Sequence, residues 1–171
     1  MTSFSSLDLI RAHQWTGSFF TTYALSLSFF EAVVLDALAR QGVTQSLILA
    51  DVKGIAAALS EEGVRSAGRA YQVEPVAVSQ GCFHPKLVVL TSPTEAHLLI
   101  GSGNLTFGGW GSNLECIEHL HAGVSTEALT DTAGFLESLA AADSVRHDAA
   151  AHCRQLAGTL MRAGEQPPAE G

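Results

Sequence analysis

Two short polar groups flank an apolar run near the middle of the sequence. His84 and Lys86 stand two residues apart just before the run LVVL, and Ser102 and Asn104 stand two apart in the segment GSGN. Alternate residues of a strand project from one face, and a turn at 92–94 would fold the region into a hairpin. The four polar side chains would then meet at one end of that hairpin. A histidine and a lysine faced by hydroxyl and amide groups are suited to a phosphate.

The order of these groups resembles the half-site signature of the phospholipase D superfamily. The pattern HxK is met by His84 and Lys86, the pattern GSxN by residues 101–104, and the pattern NxE by Asn113 and Glu115. The resemblance covers roughly residues 18–121 and includes a strand–helix–strand unit ahead of the motifs. One position departs from the family pattern, because Thr91 stands where many members have an aspartate, five residues after the lysine.

The resemblance implies phosphodiester hydrolysis without a metal or another cofactor. One histidine attacks phosphorus to form a phosphohistidine, and a second histidine protonates the leaving oxygen and then activates water. His84 would be the nucleophile, and Lys86, Ser102 and Asn104 would bind the phosphoryl oxygens. Glu115 would orient the His84 ring through its other nitrogen. These five residues are therefore the predicted catalytic group.

The implied chemistry needs two imidazoles, whereas the chain has a single HxK motif. The other histidines have no lysine two positions on; they are His13, His97, His119, His121, His147 and His152. A two-fold homodimer would place two copies of His84 opposite each other. In the loop after Asn104, the candidate substrate-binding residues are Phe107, Trp110 and Asn113. The two aromatic side chains suit stacking on a base and anchoring of the loop equally well.

The hydrophobic pattern predicts an α/β fold, a mixed sheet with a parallel βαβ portion flanked by helices. A buried strand at 18–27, a helix begun by Ser28 and ended near Gly42, and a strand at 45–51 form the βαβ unit. A helix at 52–68 and a strand at 71–79 follow. The hairpin strands are expected at 82–91 and 95–100, a glycine-rich loop at 101–114 and a last strand at 114–121. Helices are expected at 3–13, 129–141 and 144–163.

Composition bounds the class of protein and its surroundings. The 171 residues suffice for one domain, predicted at 1–163, with 164–171 (GEQPPAEG) as a disordered tail or a linker to a further domain. The net charge is −8, from 9 basic and 17 acidic residues, which is unlike a strong nonspecific nucleic-acid binder. Three cysteines without framework spacing, and the lack of a signal peptide or membrane-spanning run, indicate a cytoplasmic protein.

These observations support three functional hypotheses. The first is a nuclease that cleaves DNA or RNA, helped by a local basic patch of Lys53, Arg65, Arg69 and Lys86. The second is a hydrolase of phospholipids or other phosphodiesters. The third is a non-catalytic dimerisation or interaction module that keeps the fold, which the acidic charge and Thr91 favour. The resemblance also implies a role in defence against foreign DNA and a partner ATPase, helicase or DNA-reading domain.

Overall fold

A computed structural model describes residues 5–165, which form one mixed sheet with helices on both faces. The strands are β1 (Gly17–Thr22), β2 (Gln45–Asp51), β3 (Gln72–Val76), β4 (Leu87–Thr91), β5 (Ala96–Gly101) and β6 (Ile117–His121). The helices are α1 (Ser6–Ala12), α2 (Leu27–Phe29), α3 (Asp36–Arg40), α4 (Val52–Ala58), α5 (Thr126–Ala141) and α6 (His147–Glu165). Two π-helical turns occupy Phe30–Leu35 and Gly108–Ser112.

The strand order across the sheet is β3-β2-β1-β4-β5-β6. β1, β2 and β3 are parallel, whereas β4 runs antiparallel to β1 and forms a meander with β5 and β6. The predicted α/β class, with a parallel βαβ portion in a mixed sheet, is therefore confirmed. This order brings the end of β1, the start of β4 and the end of β5 to one edge of the sheet.

Each face of the sheet buries its own apolar cluster. Phe19, Val89 and Leu98 pack with α5 and α6 on one face. The opposite face packs against α1 to α4 through the alternate residues of the same strands, such as Phe20 and Leu99. Because both faces are covered, β1 is buried along its whole length.

Several element boundaries differ from the sequence-based predictions. β1 ends at Thr22 and does not continue to residue 27. Directly after the strand, the Thr22 hydroxyl donates to the carbonyl oxygen of Ala24 (2.7 Å). The helical segment that follows is capped by Ser26, whose hydroxyl accepts from the amide of Phe29. Ser28, the predicted cap, instead donates from its amide and hydroxyl to Glu61. The predicted C-terminal glycine of that helix is confirmed, because Gly42 has φ +89°.

The helix predicted at 52–68 was wrong beyond Ala58, where α4 ends. Gly63 has φ +91°, a conformation that glycine adopts without strain, so the chain turns there. The following segment is held as a loop because the Glu31 carboxylate accepts from the amides of Arg65 (2.9 Å) and Ser66 (2.8 Å).

The two ends of the chain lie partly outside the described residues. The helix predicted at 3–13 corresponds to α1, Ser6–Ala12, while residues 3 and 4 lie outside the described residues. Of the tail predicted at 164–171, the first two residues belong to α6, which ends at Glu165, and 166–171 lie outside the described residues. Within 5–165, no helix is long and apolar enough to cross a membrane.

Four histidines gather at the end of the sheet near the β4–β5 turn. The buried ring of His97 lies 5.1 Å from His13, 5.0 Å from His119 and 5.0 Å from His121, between ring centroids. Trp15 covers the cluster at 5.1 Å from His97. Burial, together with the charges of the neighbouring histidines, lowers the pKa of His97 to about 4.

This cluster predicts a loss of stability in acid. The pKa of His97 is about 4 in the folded chain and about 6.5 when unfolded, so the unfolded chain binds more protons in between. Stability should therefore fall as the pH drops from about 6.5 towards 4, by up to about 3 kcal/mol from His97. Urea unfolding at pH 7 and pH 4.5 measures this loss. His97→Gln should flatten it, while His147→Gln at the start of α6 should not; equal losses in both variants would contradict the assignment.

Candidate active site

The predicted site residues lie at the edge of the sheet opposite the histidine cluster. His84 and Lys86 were expected on a strand, but β4 begins at Leu87, so both lie in the extended segment before it. The segment still runs beside β5, because the carbonyl oxygen of Lys86 accepts from the amide of Gly101 (3.1 Å). Thus the HxK and GSxN motifs do meet at one end of the hairpin.

Lys86 holds its ammonium group against the ring of His84. The Nζ atom lies 2.8 Å from Nδ1 and 3.2 Å from Nε2, and it donates to the His84 carbonyl oxygen at 3.1 Å. An ammonium group only donates, so the ring nitrogen that it bonds must carry a lone pair. Partial burial lowers the pKa of Lys86, while Cys82 and Glu115 act in the opposite direction. A cation is therefore placed directly beside the candidate nucleophile.

The backbone ahead of His84 is fixed by a buried carboxylate. Asp51, at the end of β2, is 2% exposed, and its Oδ2 accepts from the amide of Phe83 at 2.8 Å. Its Oδ1 accepts from the amide of Lys53 at 3.0 Å and so caps α4. One side chain thereby ties the segment bearing His84 to the start of a helix.

Two threonines at the end of β1 connect both motifs to the central strand. The Thr21 hydroxyl accepts from the amide of Leu87 (3.0 Å), directly after Lys86. The Thr22 hydroxyl accepts from the amide of Leu105 (3.0 Å), directly after Asn104. Asn104 Oδ1 in turn lies 3.3 Å from the Thr22 hydroxyl and accepts from the amide of Ala24 at 3.0 Å. Because that oxygen is engaged on the protein side, the NH₂ group of Asn104 is the end that can face a ligand.

Ser102, Asn113 and Glu115 form one hydrogen-bonded group. The Glu115 carboxylate accepts from the Ser102 hydroxyl (2.5 Å) and from Asn113 Nδ2 (3.3 Å). The hydroxyl bond from Ser102, followed by that from Asn113, lowers the pKa of Glu115, so it is a carboxylate at neutral pH. The partners of Glu115 in this structure are these two side chains, and its predicted bond to His84 stays a prediction. Ser102 also accepts from the amide of Cys116 (3.1 Å).

The loop after Asn104 owes its shape to its glycines. A Cβ atom on Gly103 would lie 2.4 Å from the carbonyl oxygen of Gly109, and one on Gly109 would lie 2.2 Å from that of Asn104. Real Cβ contacts are essentially never that short. Glycine at both positions therefore lets the loop fold back against Asn104.

The two aromatic residues of this loop have different surroundings. Trp110 is partly buried and its ring lies 6.2 Å from the rings of Phe20 and Phe29, so it anchors the loop to the core. Phe107 also contacts Phe29 (6.3 Å) but is 67% exposed. Of the two, Phe107 offers the larger surface to a ligand. Leu114, between Asn113 and Glu115, is fully exposed.

The basic patch suggested by the sequence does not assemble around Lys86. Arg69 lines a groove with Thr44 and Gln45, at the start of β2 and so at the other end of the sheet. Lys53, at the start of α4, lies at the edge with the site, since α4 follows the end of β2. Lys86 itself borders a cavity of about 30 Å³ with the backbone of Gly101 and Gly103.

The family aspartate position, Thr91, is far from the site. Thr91 lies at the opposite end of β4 from Lys86 and is buried, with its hydroxyl 3.5 Å from the carbonyl oxygen of Gly17. A side chain there acts on strand packing and not on a bound phosphate. Thr91 thus leaves the composition of the candidate site unchanged.

Residues that the motifs did not reveal complete the site. Thr21, Thr22 and Asp51 supply the hydrogen bonds described above, and the ring of Tyr23 lies 5.0 Å from that of His84. An aspartate between a strand and a helix is a recognisable N-cap signal, whereas nothing in the sequence indicates its bond to Phe83. In residues 5–165, no three His, Cys, Asp or Glu side chains are arranged to hold a metal ion.

Comparisons with known proteins bear on the fold. No family model and no curated protein matches this sequence. Among solved structures, NucT from Helicobacter pylori is similar at a TM-score of 0.50 and 13% identity, covering 75% of this chain and 80% of that one. The phospholipase D family member Nuc from Salmonella typhimurium is similar at 0.45 and 17%, covering 65% and 69%. A mutant of yeast tyrosyl-DNA phosphodiesterase is similar at 0.49 and 15%, covering 77% of this chain and 33% of the yeast chain.

The backbone of this chain has the same fold as NucT. At 13% identity, this similarity concerns the path of the backbone and not the chemistry of the site. In this fold, the sheet edge that carries His84, Lys86 and Asn104 is where the end of β1, the start of β4 and the end of β5 come together.

The Asp51 carboxylate provides a test of how the site is held. Asp51→Asn keeps one acceptor oxygen, so either Phe83 or Lys53 loses its bond, at a cost of about 1–3 kcal/mol. We expect a lower urea midpoint and faster amide exchange at Phe83 or Lys53. Asp36→Asn, which removes an exposed ion pair with Arg40, should lower the urea midpoint much less, because exposed ion pairs contribute little to stability. Equal effects of the two substitutions would show that Asp51 does not hold this segment.

Proposed function

We propose that this chain is a metal-independent phosphodiesterase that acts on nucleic acid as a homodimer. The observation that carries the proposal is the contact between the Lys86 ammonium group and the His84 ring. It lies beside the Ser102–Glu115 hydrogen bond and the oriented amide of Asn104, at the edge of a phospholipase D-type sheet. These groups suit covalent attack on phosphorus, since they combine a nucleophile with donors for phosphoryl oxygens.

In the first proposed step, a ring nitrogen of His84 attacks phosphorus. The N–P bond forms as the bond from phosphorus to the leaving oxygen breaks, and a second imidazole gives its proton to that oxygen. Lys86 and the NH₂ group of Asn104 donate to the non-bridging oxygens. The negative charge of Glu115 near Lys86 favours the protonated state of that ammonium group.

In the second step, water replaces His84 on phosphorus. The second imidazole, now neutral, takes a proton from the water, the new P–O bond forms and the N–P bond breaks. The enzyme returns to its starting protonation state, and no metal or redox partner is consumed. The two steps therefore need two imidazoles, one as the nucleophile and one as the acid and then the base.

The second imidazole is assigned to a second copy of His84. Four of the other histidines contact one another near the β4–β5 turn, and His152 lines a groove at that same end. A two-fold axis close to His84 would bring two copies together without further residues. Exposed apolar side chains beside the site offer surface for that contact, with Leu114 fully exposed and Phe107 67% exposed.

Nucleic acid is the preferred substrate because of the side chains around the site. Phe107 presents an aromatic face on which a base can stack, and Lys53 and Lys86 supply positive charge at the same edge. With a net charge of −8, the protein has few basic residues to neutralise the phosphates of a duplex. The charge therefore favours a small contact with a flexible single strand. The alternative substrate is a phospholipid, and assays with nucleic acids and with a lipid vesicle distinguish the two.

We expect hydrolysis to proceed in EDTA and to stop in His84→Ala. His84 is exposed in the segment before β4, so its truncation leaves no core cavity and the fold should persist. The assay compares single-stranded DNA, RNA and a phosphatidylcholine vesicle, with protein quenched in alkaline denaturant and analysed for phosphohistidine. His147→Ala, at the start of α6, is the matched control and should retain the wild-type rate.

Three outcomes would count against this mechanism. Activity that disappears in EDTA and returns with magnesium would exclude the metal-free route. A folded His84→Ala protein with the wild-type rate would exclude His84 as the nucleophile. Hydrolysis of the vesicle alone would replace the nucleic-acid substrate with a lipid.

We expect the active unit to be a dimer that depends on the apolar surface beside the site. Leu114→Asp places a charge on that surface and should shift the protein towards the monomer, with at least a tenfold loss of rate, about 1.4 kcal/mol. Met161→Asp, on the exposed face of α6, is the control for an added charge at an exposed apolar position. Sedimentation at micromolar concentration, with rates on the same samples, measures both. A monomer that cleaves at the full rate would contradict the shared site.

A further inference from the structure

Tyr23 lies against His84 although no motif includes it. The centroids of the two rings are 5.0 Å apart and their planes are inclined at 41°. His84 is exposed and Tyr23 is partly buried, so the tyrosine ring covers part of an imidazole that Lys86 also contacts. A side chain in that position restricts the orientations that the imidazole can adopt.

The backbone of Tyr23 is held from both sides. A Cβ atom on Gly54 would lie 2.1 Å from the carbonyl oxygen of Tyr23, so α4 packs on that peptide at a distance that only glycine allows. On the other side, Thr22 donates to the carbonyl oxygen of Ala24 (2.7 Å), and the amide of Ala24 donates to Asn104 (3.0 Å). Tyr23 cannot shift without disturbing either α4 or Asn104.

Tyr23 therefore stands between two parts of the candidate site. Its ring contacts His84, and the amide of the next residue orients the amide group of Asn104. The distance between a nucleophile and the donors that bind phosphoryl oxygens must be kept to a fraction of an ångström for efficient attack. A rigid residue that contacts His84, and whose peptide bond to Ala24 donates to Asn104, is placed to keep that distance.

We infer that Tyr23 is a positioning residue, whose ring fixes the orientation of the His84 imidazole relative to Asn104. The consequence for catalysis rests on the proposed function, whereas the contact itself does not. The ring acts through its shape and aromatic face, so phenylalanine should replace it and leucine should not. The predicted effect is on the chemical step more than on substrate binding.

The first measurement is spectroscopic and needs no substrate. The carbon-bound ring protons of His84, assigned by their loss in His84→Gln, lie in the ring current of Tyr23. Their resonance should move in Tyr23→Leu and stay near its wild-type position in Tyr23→Phe. Leu59→Ala, which truncates an exposed side chain just after α4, should leave it in place. An unchanged His84 resonance in a folded Tyr23→Leu protein would overturn the inference.

The second measurement separates positioning from binding. With single-stranded DNA in EDTA, Tyr23→Leu should lower kcat by roughly tenfold or more while KM stays within about threefold, and Tyr23→Phe should restore most of kcat. A shifted resonance with an unchanged kcat would overturn the catalytic part of the inference. An inactive wild-type chain would instead refute the proposed function, and the resonance of His84 would still decide whether Tyr23 positions the ring.

Discussion

The candidate site depends on the hydroxyl groups of two adjacent threonines at the end of the central strand β1. Thr21 and Thr22 project from opposite faces of that strand, and each accepts a hydrogen bond from a buried backbone amide of a different segment. The amide of Leu87 follows the HxK motif and the amide of Leu105 follows the GSxN motif. A buried amide without a partner costs about 1–3 kcal/mol, so both segments are held against β1.

Around this pair, the other contacts of the site remove the remaining freedom. Asp51 holds the residue before His84, and Tyr23 packs on its ring. Gly103 and Gly109 bring the following loop within van der Waals contact of Asn104. The glycine-rich segment is thus required by packing of the backbone on itself, which is a separate reason from any contact with a phosphate.

The two ends of the sheet carry different kinds of chemistry. One end has Lys86, Asn104 and Glu115, polar groups that face solvent or one another and suit a charged substrate. The other has a histidine cluster around a buried ring, which is kept neutral by burial. The five residues of β4 separate them. A loss of stability in acid would therefore arise at the end with the histidine cluster, and not among the polar groups of the candidate site.

Local patterns in the sequence determined the elements and the order of the motifs. Strand β2 and the glycine that ends the helical segment before it were predicted at their observed positions, because buried runs and a left-handed glycine are local properties. The meeting of His84 and Lys86 with Ser102 and Asn104 also followed from the hairpin alone. Only the tertiary structure decided what holds them, since Thr21 is 66 residues from Leu87 and Asp51 is 32 residues from Phe83. The tertiary structure also separated Arg69 from Lys86 and anchored Trp110 in the core. The reason is that contacts between distant segments depend on the order of the strands in the sheet, and a local sequence pattern does not record that order.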